Sequence, residues 1–130
     1  MFNGIDHIEI VPRDLERTLA FYVDILGFRI KDRRKVEEPN RDEIIFLELN
    51  DTYIELMPVY HPIVASEERW QIGCRGIGIA VDDMEKAVEY LLSKGVEMTL
   101  APVTSSTWTR ARFNDPNGLS VELRQQLEPW

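Results

Sequence analysis

Val11-Pro12-Arg13-Asp14-Leu15-Glu16-Arg17-Thr18-Leu19-Ala20-Phe21-Tyr22 returns in the second half of the chain as Val81-Asp82-Asp83-Met84-Glu85-Lys86-Ala87-Val88-Glu89-Tyr90. Asp14 matches Asp83, Leu15 matches Met84, Glu16 matches Glu85, Arg17 matches Lys86 and Phe21 matches Tyr90. A gap near the helix end brings Gly27 onto Gly95. Further on, Tyr53-Ile54-Glu55-Leu56 matches Ser120-Val121-Glu122-Leu123. A repeat of half the chain length signals two copies of one supersecondary unit. Polar positions repeated on the strands are then the first place to look for chemistry.

Residues 5–11 alternate and read as a strand that places His7 and Glu9 on one face. Asp14 is suited to cap a helix with an apolar stripe of Leu15, Leu19, Tyr22 and Leu26, and Gly27 to end it. Residues 28–36 read as a strand, 37–42 as a charged loop containing Pro39, and 44–49 as a buried strand. Asn50-Asp51 turns the chain into a further strand at 53–57. The second copy starts with a strand at 76–81 and a helix capped by Asp82 or Asp83, with a stripe of Met84, Val88, Leu91 and Leu92. A strand at 97–100, a loop at 101–106 and an alternating strand at 107–114 follow. Trp108, Arg110 and Arg112 share one face of that strand, opposite Thr109, Ala111 and Phe113. Asp115-Pro116-Asn117-Gly118 is a strong turn signal before the last strand at 119–124. Each copy is β-α-β-β-β and the fold class is α+β. The boundaries are module one 4–58, linker 59–75 and module two 76–126, within one domain of 130 residues.

The formal net charge of −8 repels nucleic acid phosphates and favours cationic guests weakly. No apolar run is long enough to cross a bilayer, and the N-terminus shows no secretion signal. The single cysteine, Cys74, allows no internal disulfide and fits a reducing cytoplasm. Its default state is a buried, inert thiol. His61 sits in the linker and reads as a surface residue. There is no Gly-rich phosphate loop, paired-cysteine zinc motif or nucleophile elbow.

The two copies, the opening Asp6-His7-Ile8 and the closing Asn114-Asp115-Pro116-Asn117-Gly118-Leu119-Ser120-Val121-Glu122-Leu123 resemble the vicinal oxygen chelate superfamily. That superfamily includes glyoxalase I, extradiol dioxygenases and bleomycin resistance proteins. The resemblance implies a half-open, barrel-like cup, a small-molecule ligand and a homodimer. It also implies a divalent metal (Zn, Ni, Co, Mn or Fe) held by one residue from each of four strands. Carried onto this sequence, those positions are His7, Glu55, Gly76 and Glu122. His7 precedes Asp14 by the same interval as Gly76 precedes Asp83, which checks the register internally.

Glycine at position 76 departs from the pattern and leaves His7, Glu55 and Glu122 as the metal ligands. One imidazole and two carboxylates suit a divalent transition metal and balance its charge. A chelated substrate oxygen would have its neighbouring C–H acidified, and Glu55 or Glu122 would move the proton. That is the logic of a lyase or isomerase. In the alternative, Arg110 or Arg112 neutralises the glutamates without a metal, and the protein sequesters a ligand as bleomycin resistance proteins do. A dioxygenase is disfavoured, because a second site histidine is absent. Glu9, Trp108, Arg110 and Arg112 are the expected substrate contacts.

Overall fold

The computed structural model describes residues 1–130 and divides into two compact units, 1–65 and 66–130. In the first unit, β1 (Ile8–Ile10) leads into α1 (Leu15–Leu19), which continues as a π-helical turn over Ala20–Ile25. Then come β2 (Arg29–Glu38), β3 (Arg41–Leu49) and β4 (Thr52–Leu56). The second unit repeats the order with β5 (Gly76–Ala80), α2 (Met84–Ser93), β6 (Met98–Thr104), β7 (Trp108–Asn114) and β8 (Ser120–Gln126). The sheet orders are β1-β4-β3-β2 and β5-β8-β7-β6. The class is α+β, and each copy is an open, curled four-stranded sheet.

The first strand of each copy lies parallel to the last, and the remaining pairs are antiparallel. Glu9 stands opposite Glu55, and Gly78 opposite Glu122. Position 7 therefore corresponds to position 76, as the sequence spacing requires.

Both helices start on the aspartates of the repeat. The Asp14 side chain accepts from the Arg17 N–H at 3.0 Å, and Asp83 from the Lys86 N–H at 3.1 Å. Each cap satisfies a backbone donor that has no partner inside the helix. Gly27 and Gly95 follow the helices with φ of +84° and +79°, a conformation that side chains disfavour.

The core of each unit is the sheet face turned to its helix. Ile45, Leu47, Ile54 and Leu56 are cross-strand neighbours and are buried with Leu19, Phe21 and Tyr22. In the second unit, Ala111, Phe113, Val121 and Leu123 are buried with Met84, Val88 and Leu91. Gln125 ties this sheet to the helix, accepting from the Met84 N–H at 2.9 Å and donating to the Asp82 carbonyl at 3.0 Å.

Two details of the helices differ from the sequence expectation. In the first copy the winding loosens from Ala20, so Leu26 N–H donates to the Phe21 carbonyl. Thr18, Leu19, Phe21 and Tyr22 turn inward, while Leu15 and Leu26 are only partly buried. Tyr22 packs edge-on against Phe21 and Phe28, with centroids 5.3 and 5.7 Å away. In α2, Leu92 is exposed, because Met84, Val88 and Leu91 already cover the sheet. Cys74 is exposed rather than buried.

Candidate functional site

The helix-free face of the first sheet carries the candidate ligands. Alternation on β4 turns Ile54 and Leu56 to the core and leaves Glu55 on the opposite face. Glu55 is nonetheless only 7% exposed. His7 just precedes β1 and Glu9 lies within it, both on the Glu55 side. His7 Nε2 is 3.3 Å from Glu55 Oε2 and 3.7 Å from Glu9 Oε1.

The other ring nitrogen is committed. His7 Nδ1 lies 2.8 Å from Asp6 Oδ2, which sets Nδ1 as the protonated donor and leaves Nε2 as the lone-pair nitrogen of the neutral ring. Its hydrogen bond to Asp6 is also the main reason the imidazole is held above its ordinary value. Partial burial opposes that shift and the Glu55 charge adds to it. The ring stands edge-on to Phe46, 5.5 Å between centroids. Phe46 is the cross-strand neighbour of Glu55 on β3, so it packs against the imidazole and supplies no charge.

A nearly buried carboxylate needs a compensating partner. Glu55 has His7 and, at 3.9 Å, Arg41 Nη1. Arg41 is mainly engaged elsewhere, by Glu38 at 2.8 and 3.1 Å. The site is therefore short of positive charge whenever His7 is neutral. One atom each from His7, Glu9 and Glu55 lie within 4.8 Å of one another. A metal with bonds of about 2.0–2.2 Å needs ligands no more than about 4.4 Å apart. His7 Nε2 is within that span of both carboxylates, so the donor set fits a divalent transition metal.

The second unit has a different chemistry at the same positions. The residue opposite Glu122 is Arg112 where Glu55 faces Phe46. Arg112 donates to Glu122 Oε2 from Nε at 2.9 Å and from Nη2 at 2.8 Å. Arg110 and Arg124 approach the same carboxylate at 4.0 and 3.8 Å. Both also stack on Trp108, 5.0 Å from its ring centre. Gly76 has no room for a side chain. A Cβ there would overlap the Ser120 carbonyl oxygen and lie 3.1 Å from both the Ser120 carbonyl carbon and Cβ. Gly78, by contrast, faces open space.

Two clusters result. His7, Glu55 and Glu9 come together in the first unit. Glu122, Arg110, Arg112 and Trp108 come together in the second unit. The expectation that Arg110 or Arg112 neutralises the glutamates holds for Glu122. Asp6 partners His7, and an acid adjacent to a candidate histidine is a signal visible in the sequence. Glu48 on β3 is a further acid that the sequence pattern does not single out. It is buried, accepts from Tyr53 Oη at 3.0 Å and Lys31 Nζ at 3.4 Å, and pairs with Arg29.

The repeated sheet order agrees with the comparison to known families. The model of the Glyoxalase/Bleomycin resistance protein/Dioxygenase superfamily matches residues 4–123. The chain belongs to this superfamily. Within it, the chain is 34% identical over 126 residues to the uncharacterized protein YaeR of Escherichia coli (strain K12), covering 94% of this chain and 95% of that one. It is 29% identical over 125 residues to a probable chloroplastic lactoylglutathione lyase of Arabidopsis thaliana, covering 92% of this chain and 35% of the lyase. The solved glyoxalase family protein of Enterococcus faecalis superposes with a TM-score of 0.81 at 26% identity, covering 95% of this chain and 98% of that one. Superfamily members bind small molecules and generally use divalent metals. No helix is long and apolar enough to cross a membrane.

Proposed function

We propose that this chain is a lyase or isomerase of the glyoxalase type, moving a proton on the carbon beside an oxygen of a small substrate. The observation that carries the reading is His7, whose Nδ1 is committed to Asp6 while Nε2 faces Glu55 and Glu9. His7, Glu55 and Glu9 would hold a divalent transition metal. The ion, when bound, supplies Lewis acidity that makes the C–H beside a chelated oxygen easier to ionise. Asp6 fixes the ring and its tautomer. Glu55 Oε2 faces His7 and Oε1 lies 3.9 Å from Arg41 Nη1, and Glu55 would take and return the proton on Oε1. Glu122 is the other candidate carrier, and Trp108, Arg110 and Arg112 contact the substrate. The same reading has the protein acting as a homodimer, supported by the exposed apolar residues Phe2, Ile5, Ile8 and Val11 on and around β1.

The test is solvent deuterium exchange. Metal-loaded protein is incubated with S-lactoylglutathione in heavy water, and the lactoyl C–H beside the thioester is followed by NMR. The reading expects exchange that falls by about 100-fold or more in Glu55→Gln or Glu122→Gln. Absence of exchange with the loaded wild-type protein would remove lactoylglutathione lyase chemistry. Equal exchange in both variants would remove the proton-carrier roles.

Arg112 favours a second reading, a ligand-sequestering protein of the bleomycin-resistance type. Its guanidinium already neutralises Glu122 through two hydrogen bonds. That protein would retain no metal and would bind its guest unchanged.

A further inference from the structure

The second unit contains a cavity of about 430 Å³ with four guanidiniums in its wall, from Arg69, Arg75, Arg110 and Arg112, against the two carboxylates of Glu67 and Glu68. A smaller hollow of about 210 Å³ over Gly76 and Gly78 shares Arg75 and Arg112. The charge of the cavity wall is thus opposite in sign to the charge of the whole chain.

Three of these four cations are held in place without being neutralised by a close ion pair. Arg69 and Arg75 lie over the Trp70 ring, at 4.9 and 4.2 Å from its centre, and neither has a carboxylate within ion-pair distance. Arg110 stacks on Trp108, and its closest carboxylate is Glu122, 4.0 Å away. Stacking on an indole orients a guanidinium but leaves its N–H fork available. Arg110 Nε is also buried and has no hydrogen-bond partner. A buried donor left unmade is unfavourable. Only Arg112 is fully engaged, by Glu122.

We infer that this cavity recognises the oxyanion of a small molecule, a carboxylate or a phosphate, through Arg110, Arg75 and Arg69. The inference extends the proposed substrate contacts of Arg110 by naming the chemical class of the guest. It rests on that reading only there, because the ligand cluster of His7, Glu9 and Glu55 plays no part in it. The acidic net charge of the chain does not oppose it, since three guanidiniums in the wall act at far shorter range than dispersed surface charge.

Tryptophan fluorescence tests this, because Trp70 and Trp108 carry the guanidiniums in question. Metal-free wild-type protein is titrated with inorganic phosphate and, separately, with succinate, at constant ionic strength set with chloride. The expected result is a saturable change with at least one of them, weakened at least about tenfold in Arg110→Gln and in Arg75→Gln. Arg75 is exposed, so its variant keeps the test informative should Arg110→Gln fail to fold. A response to phosphate alone assigns a phosphate ester, and a response to succinate alone assigns a carboxylic acid. His61→Ala should bind as wild type does. Non-saturable changes with both anions, or wild-type binding in both arginine variants, overturn the inference. They would do so without touching the metal reading, which is measured by metal retention.

Discussion

Asp6 and His7, adjacent in the chain, are joined side chain to side chain at 2.8 Å, and this contact decides which nitrogen of His7 faces Glu55. Asp6 is itself exposed and contributes nothing to the core. Asp6→Asn or Asp6→Ala should therefore leave the melting temperature nearly unchanged. Metal affinity should fall by about 10–100-fold, the usual effect of removing the partner of a ligand histidine. Calorimetric titration with Zn or Ni checks this. Affinity equal to wild type would mean that Asp6 does not orient the ring.

Gly76 stands where the sequence resemblance leads to the expectation of a metal ligand, and the structure gives a reason for glycine there. Gly76→Ala and Gly76→His should each destabilise the protein by about 1–3 kcal/mol, because the new Cβ drives into the Ser120 backbone. Gly76→His should bring no gain in metal affinity. Gly78→Ala, facing open space, should stay within about 0.5 kcal/mol of wild type. Chemical denaturation of the three variants separates these outcomes.

Asp83 caps α2, and its carboxylate is held below the ordinary value of 3.8, first by the hydrogen bond from the Lys86 backbone N–H and then by the Lys86 ammonium. A folded-state value below the unfolded one means a stabilising contribution that is present above about pH 4 and disappears as acid protonates the folded carboxylate. Asp83→Ala should lower the melting temperature at pH 7 by about 3–5 °C. Asp83→Asn should keep most of the cap and lose the pH dependence. Thermal scans from pH 7 to pH 3 give the comparison. A wild-type minus Asp83→Asn difference that is constant with pH would contradict it.

The repeat made much of this fold legible. Asp14 marks the first helix start and Asp82 or Asp83 the second, which the structure resolves to Asp83, while Gly27 and Gly95 mark their ends and His7 aligns with Gly76. Several features carried no such signal. The π-helical turn from Ala20 contains neither proline nor glycine, and it changes which side chains of the first helix are buried. The expected loop at 101–106 is largely strand, because β6 runs on to Thr104 through Pro102. It can do so as the edge strand of its sheet, where a missing N–H need not break the ladder, and the register shifts between Leu100 and Val103. The expected loop at 37–42 is likewise reduced to a turn at Pro39-Asn40, clamped by the Glu38–Arg41 pair. The partner of Glu122 was open in the sequence, since Arg110 and Arg112 share a face. Only the cross-strand register puts Arg112 directly opposite it.

The most direct test of the central claim is metal content after loading and dialysis. The protein is equilibrated with Zn, Ni, Co, Mn or Fe(II), dialysed, and analysed by elemental mass spectrometry beside His7→Ala, Glu55→Gln and His61→Ala. The account predicts one ion per chain in wild type and in His61→Ala, and loss of it in His7→Ala and Glu55→Gln. Wild-type protein that retains none of these metals, or His7→Ala and Glu55→Gln variants that retain as much as wild type, would contradict it.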